Sequence, residues 1–188
     1  MINSILIAGD MASGKTSLKD EILKEVDGTI GLKFATTIYK WHDYIVEDLR
    51  SMGFGPPSKN RKLLQYLGTE FGRDIIGKDI WVDCLKSQLG NDFIGVIDDC
   101  RFINEFEGLK DQSLTIYLYC DKEVRIQRLK ALGTYNPSPH PSEGALQERM
   151  EDFDLVFDTG VIPMEIMIQS VKKALDWKAK VEYERRNG

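Results

Sequence analysis

The sequence predicts a three-layer α/β fold built on a mostly parallel five-stranded sheet. Three observations carry this. Short apolar runs alternate with stretches of helical spacing along the 188 residues, the pattern of parallel strands joined by crossover helices. The first run, SILIAG (Ser4–Gly9), is apolar without polar alternation, as a strand buried on both faces requires. The stretch from about 38 to 89 holds no strand and is too long for one crossover, so it reads as a helical insert.

The elements follow in order. KTSLKDEILKEV has helical spacing at Leu18, Ile22, Leu23 and Val26 and stops at Gly28. TIGLKFA is a second, weaker strand. IYKWHDYIVEDLRSMG reads as a helix and GFGPPSKN as a loop. LQYLGTEFGRD (Leu64–Asp74) has Leu64, Leu67 and Phe71 on one helical face. Its two glycines each cost about 1 kcal/mol of helix propensity relative to Ala. KDIWVDCLKSQL is a further helix. FIGVIDD (Phe93–Asp99) and LTIYLYC (Leu114–Cys120) are the third and fourth strands. KEVRIQRLKAL is a basic helix, followed by the proline-rich loop GTYNPSPHPSEG. DLVFD (Asp154–Asp158) is a fifth strand, and a long charged helix begins at Met164. The expected organisation is one domain: a core of 1–37 and 90–188, the insert at about 38–89, and a short lid at about 122–143.

Composition narrows the function. A formal net charge of −5 without a basic tail argues against stable nucleic-acid binding. The N-terminus lacks a basic region and a cleavage site and reads as a strand, and no apolar run is long enough to span a bilayer. Cys84, Cys100 and Cys120 have no metal-ligand spacing and read as reduced thiols of a cytoplasmic protein.

The strongest motif is GDMASGKT, Gly9–Thr16, which satisfies G-x-x-x-x-G-K-[ST] between a predicted strand and a predicted helix. Glycines let backbone N–H groups curl around phosphates, and the helix N-terminus adds positive potential. Gly9, Ala12, Ser13, Gly14, Lys15, Thr16 and Ser17 are the candidate nucleotide-binding residues. Lys15 can reach the β- and γ-phosphates of ATP, and Thr16 can hold Mg²⁺.

VIDDCR ends the third strand, where ligand sites of open α/β sheets lie. Asp98 and Asp99 are candidates to hold a magnesium water or to accept a proton from a nucleophile, with Asp98 and Thr16 the candidate metal pair. Arg101 projects toward the same crevice. Arg125 and Arg128 lie one turn apart on the basic helix beside the loop that could close over a transfer site. His140 in that loop reads as a packing residue. Gln65, Thr69 and Arg73 share a face of the LQYLGTEFGRD helix and can point together, and Gly72 leaves room beside them for a ligand. DIIG imitates a GTPase switch element but follows no strand, and no N-K-x-D element accompanies it.

Together, LLQYLGTEFGRDIIGKDIWVD, VIDDCRFINE and HPSEGAL with the phosphate loop resemble the P-loop nucleoside monophosphate kinases, most closely the phage-type deoxynucleoside monophosphate kinases. The resemblance runs from about Ile5 to Asp158. It implies a P-loop NTPase fold with a helical insert that binds the nucleoside monophosphate, and transfer of the ATP γ-phosphoryl to a deoxynucleoside monophosphate. Lys15 and Thr16 would then handle ATP·Mg²⁺, and Arg73 and Arg101 would clamp the acceptor phosphate. Arg125 and Arg128 would neutralise the transferring group, and Gln65, Thr69 and Trp81 would contact the base. The cytoplasm, of a host if the chain is phage-encoded, is the expected location. VFDTG departs from the asparagine expected after the last strand, which bears on preference for ATP. Other readings are a P-loop kinase for a different small acceptor and a non-catalytic nucleotide-binding regulator. The C-terminal helix leaves a homodimer open.

Overall fold

The structure, a computed structural model of the chain, describes residues 2–55, 59–133 and 144–187. The chain forms two compact units, Met1–Leu32 with Leu89–Gly188, and Lys33–Gln88.

The first unit holds a five-stranded sheet. Its strands are β1 (Ser4–Gly9), β2 (Thr29–Leu32), β3 (Ile94–Cys100), β4 (Ser113–Tyr119) and β5 (Leu155–Asp158). They run in the order β2-β3-β1-β4-β5, every neighbouring pair parallel. β1 is therefore central, which explains its uninterrupted apolar run: Ile5, Leu6, Ile7 and Ala8 are fully buried. Its register against β3 slips between Leu6, opposite Ile97, and Ala8, opposite Cys100. The extra residue falls at Asp98–Asp99, and a bulge of this kind re-aims side chains at the end of a strand.

Period-two alternation sorts the strands onto two faces. Ile5, Ile7, Leu114, Ile116 and Leu118 meet Leu18 and Ile22 of α1 (Lys15–Glu25) and Met167, Ile168 and Val171 of α7 (Met164–Asn187). On the other face Tyr117 meets Phe153 edge-on at 5.3 Å, and Phe153 stacks at 4.4 Å on Phe106 of α5 (Ile103–Leu109). Helices thus cover both faces, the three layers predicted. α5 is an element absent from the sequence expectation. It starts where the buried Glu105 carboxylate accepts from the backbone N–H groups of Arg101 and Phe102, at 2.8 and 3.1 Å. The basic helix is α6 (Lys122–Ala131), capped by the Asp121 side chain.

The second unit is helical: α2 (Thr36–Ser51), α3 (Arg61–Tyr66), a π-helix over Leu67–Ile76, and α4 (Ile80–Lys86). Asn60 caps α3, accepting from the backbone of Leu63. Trp41 lies edge-on to Phe71 at 5.8 Å and to Trp81 at 5.5 Å, which makes an aromatic core. The π-helix corrects the assumption of a 3.6-residue period in LQYLGTEFGRD. Hydrogen bonds now skip five residues, as from the Gly77 N–H to the Gly72 carbonyl at 3.0 Å, so the face shared by Gln65, Thr69 and Arg73 is not that of an α-helix.

Candidate functional site

The phosphate loop follows β1 and opens α1. Gly9 has φ 137°, and a side chain there would meet the Leu118 carbonyl oxygen at 2.1 Å, so β4 itself excludes anything but glycine. Gly14, at φ 97°, precedes the first helical residue, and Ala12 is held at φ 61°. A non-glycine residue there stores about 1–3 kcal/mol of backbone strain, which such loops retain where function needs the conformation. Ser13 is fully buried, and its hydroxyl has no hydrogen-bond partner among the described residues. A buried polar atom left in this way, inside a loop of curled N–H groups, fits a polyanion.

The cationic side chains are arranged around this loop. Lys15 folds back over it, its ammonium donating to the carbonyls of Gly9 and Asp10, both at 2.6 Å. Thr16 and Ser17 are exposed in the first turn of α1. The Thr16 hydroxyl donates to Oδ2 of Asp98 at 2.8 Å. That joins the end of the loop to the bulge of β3, and a hydroxyl and carboxylate so joined are the hard oxygen donors that suit Mg²⁺. Asp98 is buried, whereas Asp99 beside it is half-buried. The ammonium of Lys19, buried on α1, lies 2.8 Å from the other Asp98 oxygen.

Arg125 and Arg128 go to different partners. Arg125 forms an ion pair with Asp10 at 3.1 Å, on the phosphate loop itself. Arg128 donates to the Ala12 carbonyl at 3.1 Å, to the Thr159 hydroxyl at 3.1 Å and to the Thr159 carbonyl at 2.9 Å. Thr159 in turn donates to the Ser13 carbonyl at 2.9 Å. The residue after VFD is thus part of the phosphate loop's support. Arg101 carries an exposed side chain where β3 ends.

In the second unit Arg73 is half-buried and donates to the Gly68 carbonyl at 3.1 Å, while Gln65 and Thr69 are exposed. Trp81 departs from its expected place at a base. It is 1% exposed, and its indole N–H donates to the same Gly68 carbonyl at 2.8 Å, so it belongs to the core. Gly72 is a second correction. A Cβ there would stand 2.1 Å from Cζ2 of Trp81, so the indole and not a ligand uses the space. Residues 134–143, with His140 and the loop of the expected lid, lie outside the described residues.

Three contributors were missed from sequence: Lys19, Asp10 and Thr159. Lys19 had a readable signal, since it stands three and four positions before Ile22 and Leu23, on the apolar stripe of α1. Asp10 and Thr159 act through contacts distant in sequence, which no local pattern displays. Burial pushes the Cys100 thiol well above its ordinary value, and Glu105 and Asp99 add to this while Lys15 opposes it. Among the described residues no helix is long and apolar enough to cross a membrane.

Comparison with known proteins agrees with this geometry. A family model described as an AAA domain matches residues 5–151. A deoxynucleoside-5'-monophosphate kinase of Escherichia phage T5 is 33% identical over 99 residues, which cover 51% of this chain and 38% of that protein. The match thus spans well under half of the relative's length. A shikimate kinase from Acinetobacter baumannii, solved with shikimate, superposes with a TM-score of 0.57 at 15% identity, covering 95% of each chain. A tunicamycin resistance protein from Deinococcus radiodurans gives 0.57 at 14%, covering 93% of this chain and 96% of its own. A gluconokinase from Sinorhizobium meliloti gives 0.54 at 15%, covering 98% and 97%. These structures share the fold. With its complete phosphate loop and a match over most of its length, the chain belongs to the AAA domain family and has the fold of the P-loop kinases.

Proposed function

We propose that the protein is a deoxynucleoside monophosphate kinase, moving the γ-phosphoryl of ATP to a deoxynucleoside monophosphate and supplying deoxynucleoside diphosphates for DNA synthesis. The observation that supports this most is the 2.8 Å hydrogen bond from Thr16 to Asp98 at the foot of a complete phosphate loop. It is the donor arrangement that nucleoside triphosphate·Mg²⁺ sites of this loop type use. The similarity to the phage T5 enzyme supports the choice of acceptor class.

Phosphoryl transfer asks a protein chiefly for positioning and for positive charge around the transferring group. The loop N–H groups bind the phosphates. Lys15 exchanges the carbonyls of Gly9 and Asp10 for phosphate oxygens. Thr16 and Asp98 would hold Mg²⁺, which would supply charge neutralisation for the phosphates. Arg125 exchanges Asp10 for the transferring group, and Arg128 keeps the loop anchored to Thr159. Arg73 would bind the acceptor phosphate, and Gln65 and Thr69 its base.

The test is a panel of acceptors assayed with ATP and Mg²⁺, with deoxynucleoside monophosphates beside shikimate, gluconate and other small acceptors. ADP release that depends on a deoxynucleoside monophosphate is expected. Turnover confined to another acceptor overturns the acceptor class. ATP binding with no turnover on any acceptor points to a nucleotide-binding regulator. Arg73→Ala should raise KM for the monophosphate and leave ATP affinity unchanged; equal loss for both ligands removes Arg73 from the acceptor site.

A further inference from the structure

A lysine on the solvent side of a helix needs no explanation, but Lys19 is 8% exposed. Its ammonium and the Asp98 carboxylate meet at 2.8 Å, with side chains only 10% and 3% exposed. Asp98 takes the Thr16 hydroxyl on one oxygen and Lys19 on the other. The candidate cation site at Thr16 is therefore built next to a carboxylate whose charge is already balanced from within the protein.

That balance has a consequence. A divalent cation is drawn to a site by the net charge of what surrounds it, more strongly where water is excluded. Thr16 offers a neutral oxygen, whose proton can go to Asp98 while a lone pair ligates a cation. Asp98 alone would add a full negative charge at short range. Asp98 together with Lys19 adds almost none. The charge that draws in the cation must then come from the phosphates of the nucleotide.

We propose that Lys19 makes metal loading dependent on the nucleotide: it neutralises Asp98 so that the bare chain does not take a divalent cation, which enters only with the triphosphate. Lys19 is a positioning residue in this role, acting on the cation through Asp98. The inference rests on the phosphoryl-transfer reading only for its purpose, because the binding it describes involves no acceptor and no turnover.

The experiment titrates Mn²⁺ into full-length protein without nucleotide and reads bound ion by electron paramagnetic resonance. Wild type should show no specific site, and should gain one when a non-hydrolysable ATP analogue is added. Lys19→Met, which removes the charge and keeps the stem, should bind Mn²⁺ without nucleotide roughly tenfold tighter or more. Lys19→Arg should behave as wild type, and adding Asp98→Asn to Lys19→Met should abolish the gained site. Lys19→Gln keeps a donor for the Asp98 oxygen and serves as the second neutral variant if Lys19→Met does not fold. A specific Mn²⁺ site in nucleotide-free wild type overturns the proposal. So do neutral variants that take up no more Mn²⁺ than wild type while merely melting earlier. A protein that phosphorylates no deoxynucleoside monophosphate leaves these titrations readable, so the two ideas fail separately.

Discussion

Arg128 and Thr159 are joined twice, from one guanidinium nitrogen to the threonine hydroxyl at 3.1 Å and from the other to its carbonyl at 2.9 Å. The first nitrogen also reaches the Ala12 carbonyl at 3.1 Å. A single side chain of α6 thereby ties the phosphate loop to the turn after β5. Arg125, one turn earlier, makes a single half-buried ion pair with Asp10, the two side chains 21% and 17% exposed.

The two arginines should therefore separate in their effects. Arg128→Ala strips partners from half-buried carbonyls and should cost about 1–3 kcal/mol. In a chain of this size each kcal/mol lowers Tm by roughly 2–4 °C. Arg125→Ala should change stability by less than about 1 kcal/mol. Its turnover should nevertheless fall by about a hundredfold or more, if it meets the transferring group. Thermal melts and steady-state rates of both variants, run side by side, check this. A stable Arg128→Ala protein, or an Arg125→Ala enzyme with wild-type turnover, contradicts the assignment.

Gly72→Ala should destabilise the helical unit although alanine is the better helix former by about 1 kcal/mol. The new methyl would lie 2.1 Å from Cζ2 of Trp81 and 2.8 Å from the Leu67 carbonyl oxygen. Overpacking of this kind costs about 1–3 kcal/mol. Urea denaturation followed by tryptophan fluorescence should show an earlier transition, partly restored when Trp81→Phe is added. A transition at or above the wild-type midpoint would mean that the indole has room to move.

The Cys100 thiol sets a dependence on alkaline pH. Burial holds it protonated well above its ordinary value of 9.0. A group whose proton is bound more tightly in the folded state contributes fully at pH values below the unfolded value. The contribution then falls as pH climbs through the window above 9.0. Unfolding free energy measured by denaturant across that window should decline more steeply in wild type than in Cys100→Ala. Native protein alkylated by iodoacetamide at pH 8 as quickly as an unfolded control would contradict the burial argument.

Much of the fold was legible because central parallel strands must be apolar on both faces. Ile5–Ala8 and Leu114–Leu118 announce themselves that way, and the phosphate loop between β1 and α1 fixes its own position. α5 was not legible, since its seven residues span two turns and its start depends on the buried carboxylate of Glu105. The π-helix was hidden for a different reason. Leu64, Leu67 and Phe71 satisfy a 3.6-residue period on paper, and only the bond from Gly77 to Gly72 reveals the wider turn. The family resemblance places Trp81 at the base, yet its N–H goes to the Gly68 carbonyl. Of the two glycines, Gly72 makes way for the indole ring, whereas Gly68 offers Trp81 and Arg73 a backbone carbonyl that any residue would carry.

The central position of β1 also constrains how the chain reaches its native state. Ser4 pairs with Gly95 on one side and with Ser113 on the other, so neither edge of β1 is satisfied by anything nearby in sequence. The helices of Lys33–Gln88 form a compact unit of their own. During synthesis β1 must wait, with its apolar residues unpaired, until β3 and β4 have been translated. Pairing of such long range is slow and exposes the chain to aggregation meanwhile. The phosphate loop, tethered to that strand, acquires its shape only at the end of this wait.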